Sequence, residues 1–331
     1  NIGSFIKTVT LAIALLCFVS IRPAIADNID HGYRVNIFTQ GAIWGLHTND
    51  LFVRENTDVA YASYVTDITT VMTNGDNRMS LLFSPMTGFN AATNQVEFEL
   101  NDKVLIDIAI ERIDFNTQGR ETINAILIEY DSVAGNFKSI ATTSSGGERV
   151  FTTDNMRSDG QFTLTEMPLG DLVFSSGQTA GGYRLDFDLS VSSTEIPPFA
   201  WEGEAVPLED TPALRQQLNA AYQDIHAKIA ADDFEAVFTA AKPVWTRTAF
   251  LLTTKDDARS FVEGREGRGL SGAFVANRDD GSALKPLHFW EGPETAAVQF
   301  MADKRLVRFR PDPIAWEDPA GGNLSYHEFP V

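Results

Sequence analysis

Apolar and polar residues alternate along the first part of the chain and recur at helical spacing only after residue 211. In Tyr183–Val191, Tyr183, Leu185, Phe187, Leu189 and Val191 share one face, with Arg184, Asp186, Asp188 and Ser190 on the other. Period-two geometry requires this of a strand with one buried and one solvated face. Val104, Ile106, Ile108 and Ile110 repeat the pattern, and Asn116–Arg120 turns the chain into Ile123–Tyr130. Further turns are predicted at Asn74-Gly75-Asp76-Asn77, Gly135-Asn136 and Asp159-Gly160. About ten strands spaced in this way, with no helical window between residues 32 and 195, predict an antiparallel β-sandwich.

The pattern breaks at residues 196–210, where three prolines and four acids without periodicity predict a linker. Thr211-Pro212 then opens a helix, with Thr as N-cap and Pro at the first helical position. Leu214, Leu218, Ala221, Tyr222, Ile225 and Ile229 form its apolar stripe. Asp232 or Asp233 caps a second helix carrying Phe234, Val237 and Phe238, predicted to stop near Pro243. A third runs from Thr254 to Gly264 with Ala258, Phe261 and Val262 inward. Beyond it, Ala273–Ala276, Leu284–Trp290, Ala296–Met301 and Arg305–Arg310 are strand-like. The fold class is therefore mainly β plus α+β: a sandwich, then three helices and a curved antiparallel sheet.

Two resemblances attach to this order. The stretch Val65–Phe83, with Gly75-Asp76-Asn77 followed by Met79–Phe83, resembles jelly-roll or galactose-binding-like sandwiches. Residues 211–316, with the phrase Tyr222…His226…Asp232-Asp233-Phe234, resemble the nuclear-transport-factor-like (cystatin-like) cone, a long helix wrapped by a bent sheet. That fold hosts enzymes, binders and toxin-neutralising proteins alike, so the likeness implies a fold and no single function.

Residues 1–26 read as an address. Lys7 precedes an apolar run from Val9 to Ile21, and Ala24-Ile25-Ala26 is a small-x-small cleavage site before Asp27. The run is too short for a membrane span, which needs roughly 20 residues. Leu16 stands where lipidation of Cys17 would need a small residue. The expected divisions are signal peptide 1–26, sandwich 27–195, linker 196–210 and α+β domain 211–331. The Asn1 start and the extended end at Val331 predict that both ends are truncated. Cleavage at Ala26-Asp27 predicts a bacterial periplasmic or extracellular protein and removes the single cysteine, and with it thiol and disulfide chemistry.

Charge narrows the partners. The chain carries −19, and loss of Lys7 and Arg22 with the leader leaves 24 basic against 45 acidic residues, a net −21. This opposes nucleic acid and anionic membrane surfaces; it permits a basic protein partner, while the simpler reading of the charge is solubility.

Candidate chemistry is sparse. Gly267-Arg268-Gly269-Leu270-Ser271-Gly272 matches a dinucleotide fingerprint, but a helix precedes it and a strand follows, the inverse of the required context. Ser271 lacks the second glycine of a nucleophile elbow. His31, His47, His226 and His288 stand apart, His327-Glu328 meets Val331 where a zinc helix needs His, and Asp279-Asp280-Gly281 lacks calcium-loop spacing. No cofactor and no metal are expected, and no nucleophile, base and orienter can be assembled. A ligand site in the cone would use Tyr222, His226, Arg308 and Arg310, with Asp224 or Asp232 assisting His226. An anion or partner site would use Arg259, Arg265 and Arg268, unless these pair with the domain's own acids. Exposed tryptophans such as Trp44 would supply sugar platforms, and Trp201 in the linker is placed to dock the domains together. The expected function is non-catalytic binding of another protein, with neutralisation or scaffolding as versions of it. The alternatives are a small-ligand binder or enzyme using the cone, and carbohydrate binding by the sandwich.

Overall fold

A computed structural model describes residues 29–58, 61–86, 88–90, 92, 95–97, 99–142, 148–152, 162–191, 196–202, 205–252, 257–264, 270–320 and 324–326. The leader, the Asp159-Gly160 turn, Thr254, Arg265, Arg268 and His327-Glu328 lie outside them.

Thirteen strands precede the linker among these residues: β1 His31–Gln40, β2 Ala42–Thr48, β3 Leu51–Asn56, β4 Ala62–Asp67, β5 Gly75–Pro85, β6 Gly88–Asn90, β7 Gln95–Glu97, β8 Leu105–Asp114, β9 Arg120–Asp131, β10 Asn136–Thr142, β11 Glu148–Thr152, β12 Phe162–Val173 and β13 Thr179–Val191. One sheet runs β11-β10-β9-β8-β1-β4 and the other β12-β13-β5-β2-β3, antiparallel throughout. β6 and β7 form a separate hairpin. Alternation decides the core: Ile106, Ile108 and Ile110 from one sheet meet Leu81, Phe83, Leu185 and Phe187 from the other, all but fully buried. The register Leu185↔Leu81 and Phe187↔Met79 keeps the inward residues of β13 and β5 in line. A one-residue slip would turn them all to solvent. Gly41 joins β1 to β2 at φ 71, and a Cβ there would stand 2.8 Å from the Lys103 carbonyl oxygen, so the corner requires glycine.

Among the described residues the second part holds three α-helices, α1 Pro212–Ala230, α2 Phe234–Leu251 and α3 Ala258–Glu263, then β14 Ala283–Leu284, β15 Ala297–Met301, β16 Leu306–Arg310, β17 Ala315–Glu317 and β18 Leu324–Tyr326. Caps form as predicted: Thr211 accepts from the Leu214 amide at 3.1 Å and Asp233 from the Ala236 amide at 3.1 Å. Leu218, Tyr222 and Ile229 of α1 pack with Val237, Phe238 and Trp245 of α2 and with Phe309 and Trp316 in a second core.

Two expectations are corrected. α2 does not stop near Pro243 but runs through it to Leu251. An interior proline costs about 3 kcal/mol, yet Trp245, Ala249 and Leu251 beyond it are all buried, and each large apolar side chain contributes about 1.5–3 kcal/mol. Pro243 itself is exposed, so the carbonyl it orphans is on the solvated side. Second, Ala273 closes a 3-10 turn at Leu270–Ala273 and residues 274–276 form no strand, and of Leu284–Trp290 only Leu284 pairs, in β14. Pro286 removes an amide from that ladder. The amides of Lys285 and His288 bond singly to the Ala315 and Pro313 carbonyls. The strands form two pieces, β14-β17-β18 and β15-β16.

Candidate functional site

The two cores meet along a seam made by the segment predicted as a linker. Ile196 is buried in the sandwich core and Asn74 Nδ2 donates to its carbonyl at 2.9 Å. Phe199 and Trp201 stack with centroids 4.4 Å apart and join Leu51 and Met301 in a small apolar cluster. The loop joining β15 to β16 is fixed to the sandwich, with the Ala302 amide donating to the Asp50 carbonyl at 3.1 Å and the Asp303 amide to the Asp50 carboxylate at 3.0 Å. Trp201 thus does what the sequence suggests, alongside Phe199.

Arg247 of α2 crosses this seam. Its guanidinium donates to three backbone carbonyls: Pro197 from Nε at 2.9 Å, Met72 from Nη2 at 2.6 Å, and Thr70 from Nη1. The Phe199 ring lies 3.9 Å from its Cζ. The side chain is 8% exposed, and among the described residues no carboxylate pairs with it. Burial without a paired anion pulls its pKa down to about 10, against which Glu202 acts weakly. The cation is kept because carbonyl dipoles replace the water it loses.

Beside Arg247 a groove of about 250 Å³ opens, walled by Phe52, Val71, Trp201, Val244 and Leu306 and including Arg308. It is an apolar concavity carrying two guanidinium groups, a combination suited to an apolar group that bears an anion.

Behind it lies a buried polar cluster. Gln299 Oε1 accepts from Arg308 Nε at 2.8 Å and Arg310 Nε at 2.9 Å, and both guanidinium groups sit 4.9 Å from the Phe52 ring. Arg310 is 1% exposed. His47 of β2 is buried there too, its Nε2 without a hydrogen-bond partner among the described residues, edge-on to Phe52 at 5.9 Å. Burial, then the charges of Arg184, Arg308 and Arg310, lower its pKa to about 3, so the ring is neutral near pH 7. Tyr222 is fully buried, and burial followed by the Asp312 carboxylate holds its hydroxyl protonated far above the usual range.

The structure therefore brings Tyr222, Arg308 and Arg310 into one electrostatic neighbourhood, but as filled interior against Phe309. His226 is engaged elsewhere: its Nε2 lies 2.6 Å from the Lys285 carbonyl, a geometry in which the ring donates. Asp224 pairs with Lys228 and Asp232 accepts from the Ala276 amide, so neither assists the imidazole. Arg259 pairs with Glu235 and Glu263 and covers the Phe238 ring at 4.2 Å, the reading in which it serves the domain's own acids. Its proposed companions Arg265 and Arg268 lie outside the described residues. Trp44 is no platform: it is fully buried and donates to Thr39 Oγ1 at 2.8 Å.

A larger depression of about 370 Å³ adjoins the start of α1. Its Arg215 is already committed to Asp210 and to the Pro293 and Ala296 carbonyls, so the seam groove is the better candidate. Among the described residues no three His, Cys, Asp or Glu side chains converge to hold a metal, and no helix is long and apolar enough to cross a membrane.

Sequence reasoning missed Arg247, Phe52, Gln299 and His47. One signal was present: Arg247 is the only charged residue between Lys242 and Lys255. A lone arginine in an uncharged helical run asks for a buried partner. Compared with known proteins, the chain matches no family model, and no curated protein or solved structure is significantly similar to it.

Proposed function

We propose that this is an exported, non-catalytic binding protein whose receptor surface is the seam groove. The partner is another protein that inserts an apolar side chain flanked by a carboxylate. One observation carries the reading: a buried arginine without a carboxylate partner among the described residues, bordering an apolar groove at the junction of two cores. The positive charge of Arg247 and Arg308 favours a carboxylate locally, while the net charge of −19 favours a partner that is basic overall. The leader-like residues 1–26 support export.

Calorimetry with octanoate as the minimal mimic tests the chemistry. Octanoate binds and octanol binds at least tenfold more weakly, a difference that shrinks in high salt. Thr248→Trp, which fills the groove, abolishes octanoate binding without lowering the melting midpoint. Equal affinities for acid and alcohol, or octanoate binding unchanged in Thr248→Trp, contradict the site. A photo-crosslinker at Val244 in cells distinguishes the sources: a protein adduct lost in Thr248→Trp supports a protein partner, and a small amphiphile alone overturns that part.

A further inference from the structure

A third concavity, of about 300 Å³, lies where the β12–β13 turn of the sandwich meets the segment before β15. Trp290 borders it and is 71% exposed, whereas Trp44, Trp245 and Trp316 are buried in cores. Leaving an indole in water forfeits the burial that other tryptophans of this chain obtain. The position is a defined one, because the His288 ring meets the indole in a T-shaped contact at 4.9 Å. The rest of the lining is mixed: Ser176 and Gln178 from the turn and Glu291 and Thr295 opposite supply polar groups, beside Phe289, Ala296 and Ala297. The floor is Arg310 and Pro311. Gly177 sets the depth, since at φ 83 its Cβ would lie 2.8 Å from the Arg310 carbonyl oxygen and any side chain would lift the turn away.

We propose that this groove binds a neutral saccharide. An exposed aromatic face takes the apolar C–H face of a sugar ring, while amide, carboxylate and hydroxyl groups around it take the equatorial hydroxyls. Arg310 is 1% exposed and donates to Gln299, whereas Glu291 is exposed; that carboxylate and the net charge of −19 oppose uronic or sulfated sugars, which restricts the class to uncharged glycans. The site shares no lining residue with the seam groove, although Arg310 also belongs to the buried cluster behind that groove, and its proposed ligand does not depend on the seam's function.

Native affinity gels containing laminarin, mannan, starch or hydroxyethyl cellulose, with a glycan-free gel as reference, test it. At least one retards the protein, and Trp290→Ala reduces the retardation tenfold or more with an unchanged melting midpoint. Gln178→Ala reduces it about threefold, and Thr248→Trp leaves it intact. Migration unaltered in all four glycans, or retardation equal in Trp290→Ala, overturns the proposal. Stronger retardation by an anionic gel of alginate than by any neutral one overturns the restriction to uncharged sugars.

Discussion

The sandwich and the seam bury their side chains by different rules. Inside the sandwich every buried position on β8 or β13 is apolar, and the residues between them are exposed or partly exposed. At the seam Arg247, Arg308, Arg310, Gln299 and His47 are as well buried as the leucines, and they come from a helix, a hairpin and one strand of the sandwich. An apolar core is indifferent to which neighbour fills it, within its volume. A buried cation is not, because each lost water must be replaced by a particular carbonyl or amide oxygen. The seam therefore fixes the relative placement of its parts, and it is there that the receptor groove lies.

The comparison can be broken from either side. Phe187→Ala removes a large side chain from the sandwich interior and lowers the stability measured in denaturant by about 3–5 kcal/mol. Arg247→Leu keeps the bulk but leaves the Pro197, Thr70 and Met72 carbonyls without their donor. It costs about 3 kcal/mol and separates the unfolding of the sandwich from that of the helices, read as two transitions by calorimetry. A loss below about 1 kcal/mol would show that the seam does not depend on it.

His47 gives a pH signature. Its folded pKa of about 3 lies below the usual 6.5, so between these values the unfolded chain binds a proton that the folded one refuses. Stability is full above pH 6.5 and falls as pH drops toward 3. The contribution at pH 5 is about 2 kcal/mol. His47→Leu removes that part of the loss, and a variant as acid-sensitive as the parent would contradict the burial argument. The smallest effect is Asp233→Ala at the α2 cap, about 1 kcal/mol, confined to the helical part.

Much of the fold was legible because period-two alternation states both the element and its buried face. Tyr183–Val191, Ile106–Ile110 and the Thr211 cap all behave as their patterns require. The passage of α2 through Pro243 was not legible, since a local rule about proline omits the burial gained beyond it. The site was illegible for a related reason. Gln299 and His47 are ordinary residues in sequence and acquire meaning only when β15 and β2 bring them to the same arginines. Arg308 and Arg310 were singled out for sharing a strand face, which is correct, but their burial depends on the sandwich laid over them.

The claim that the seam is the receptor is tested most directly by methyl NMR shifts during titration with octanoate. The account predicts that Val71, Val244, Met301 and Leu306 move with one saturating curve while Ile106, Leu185 and Val237 stay still. Shifts confined to other methyls, or none at all, would contradict it.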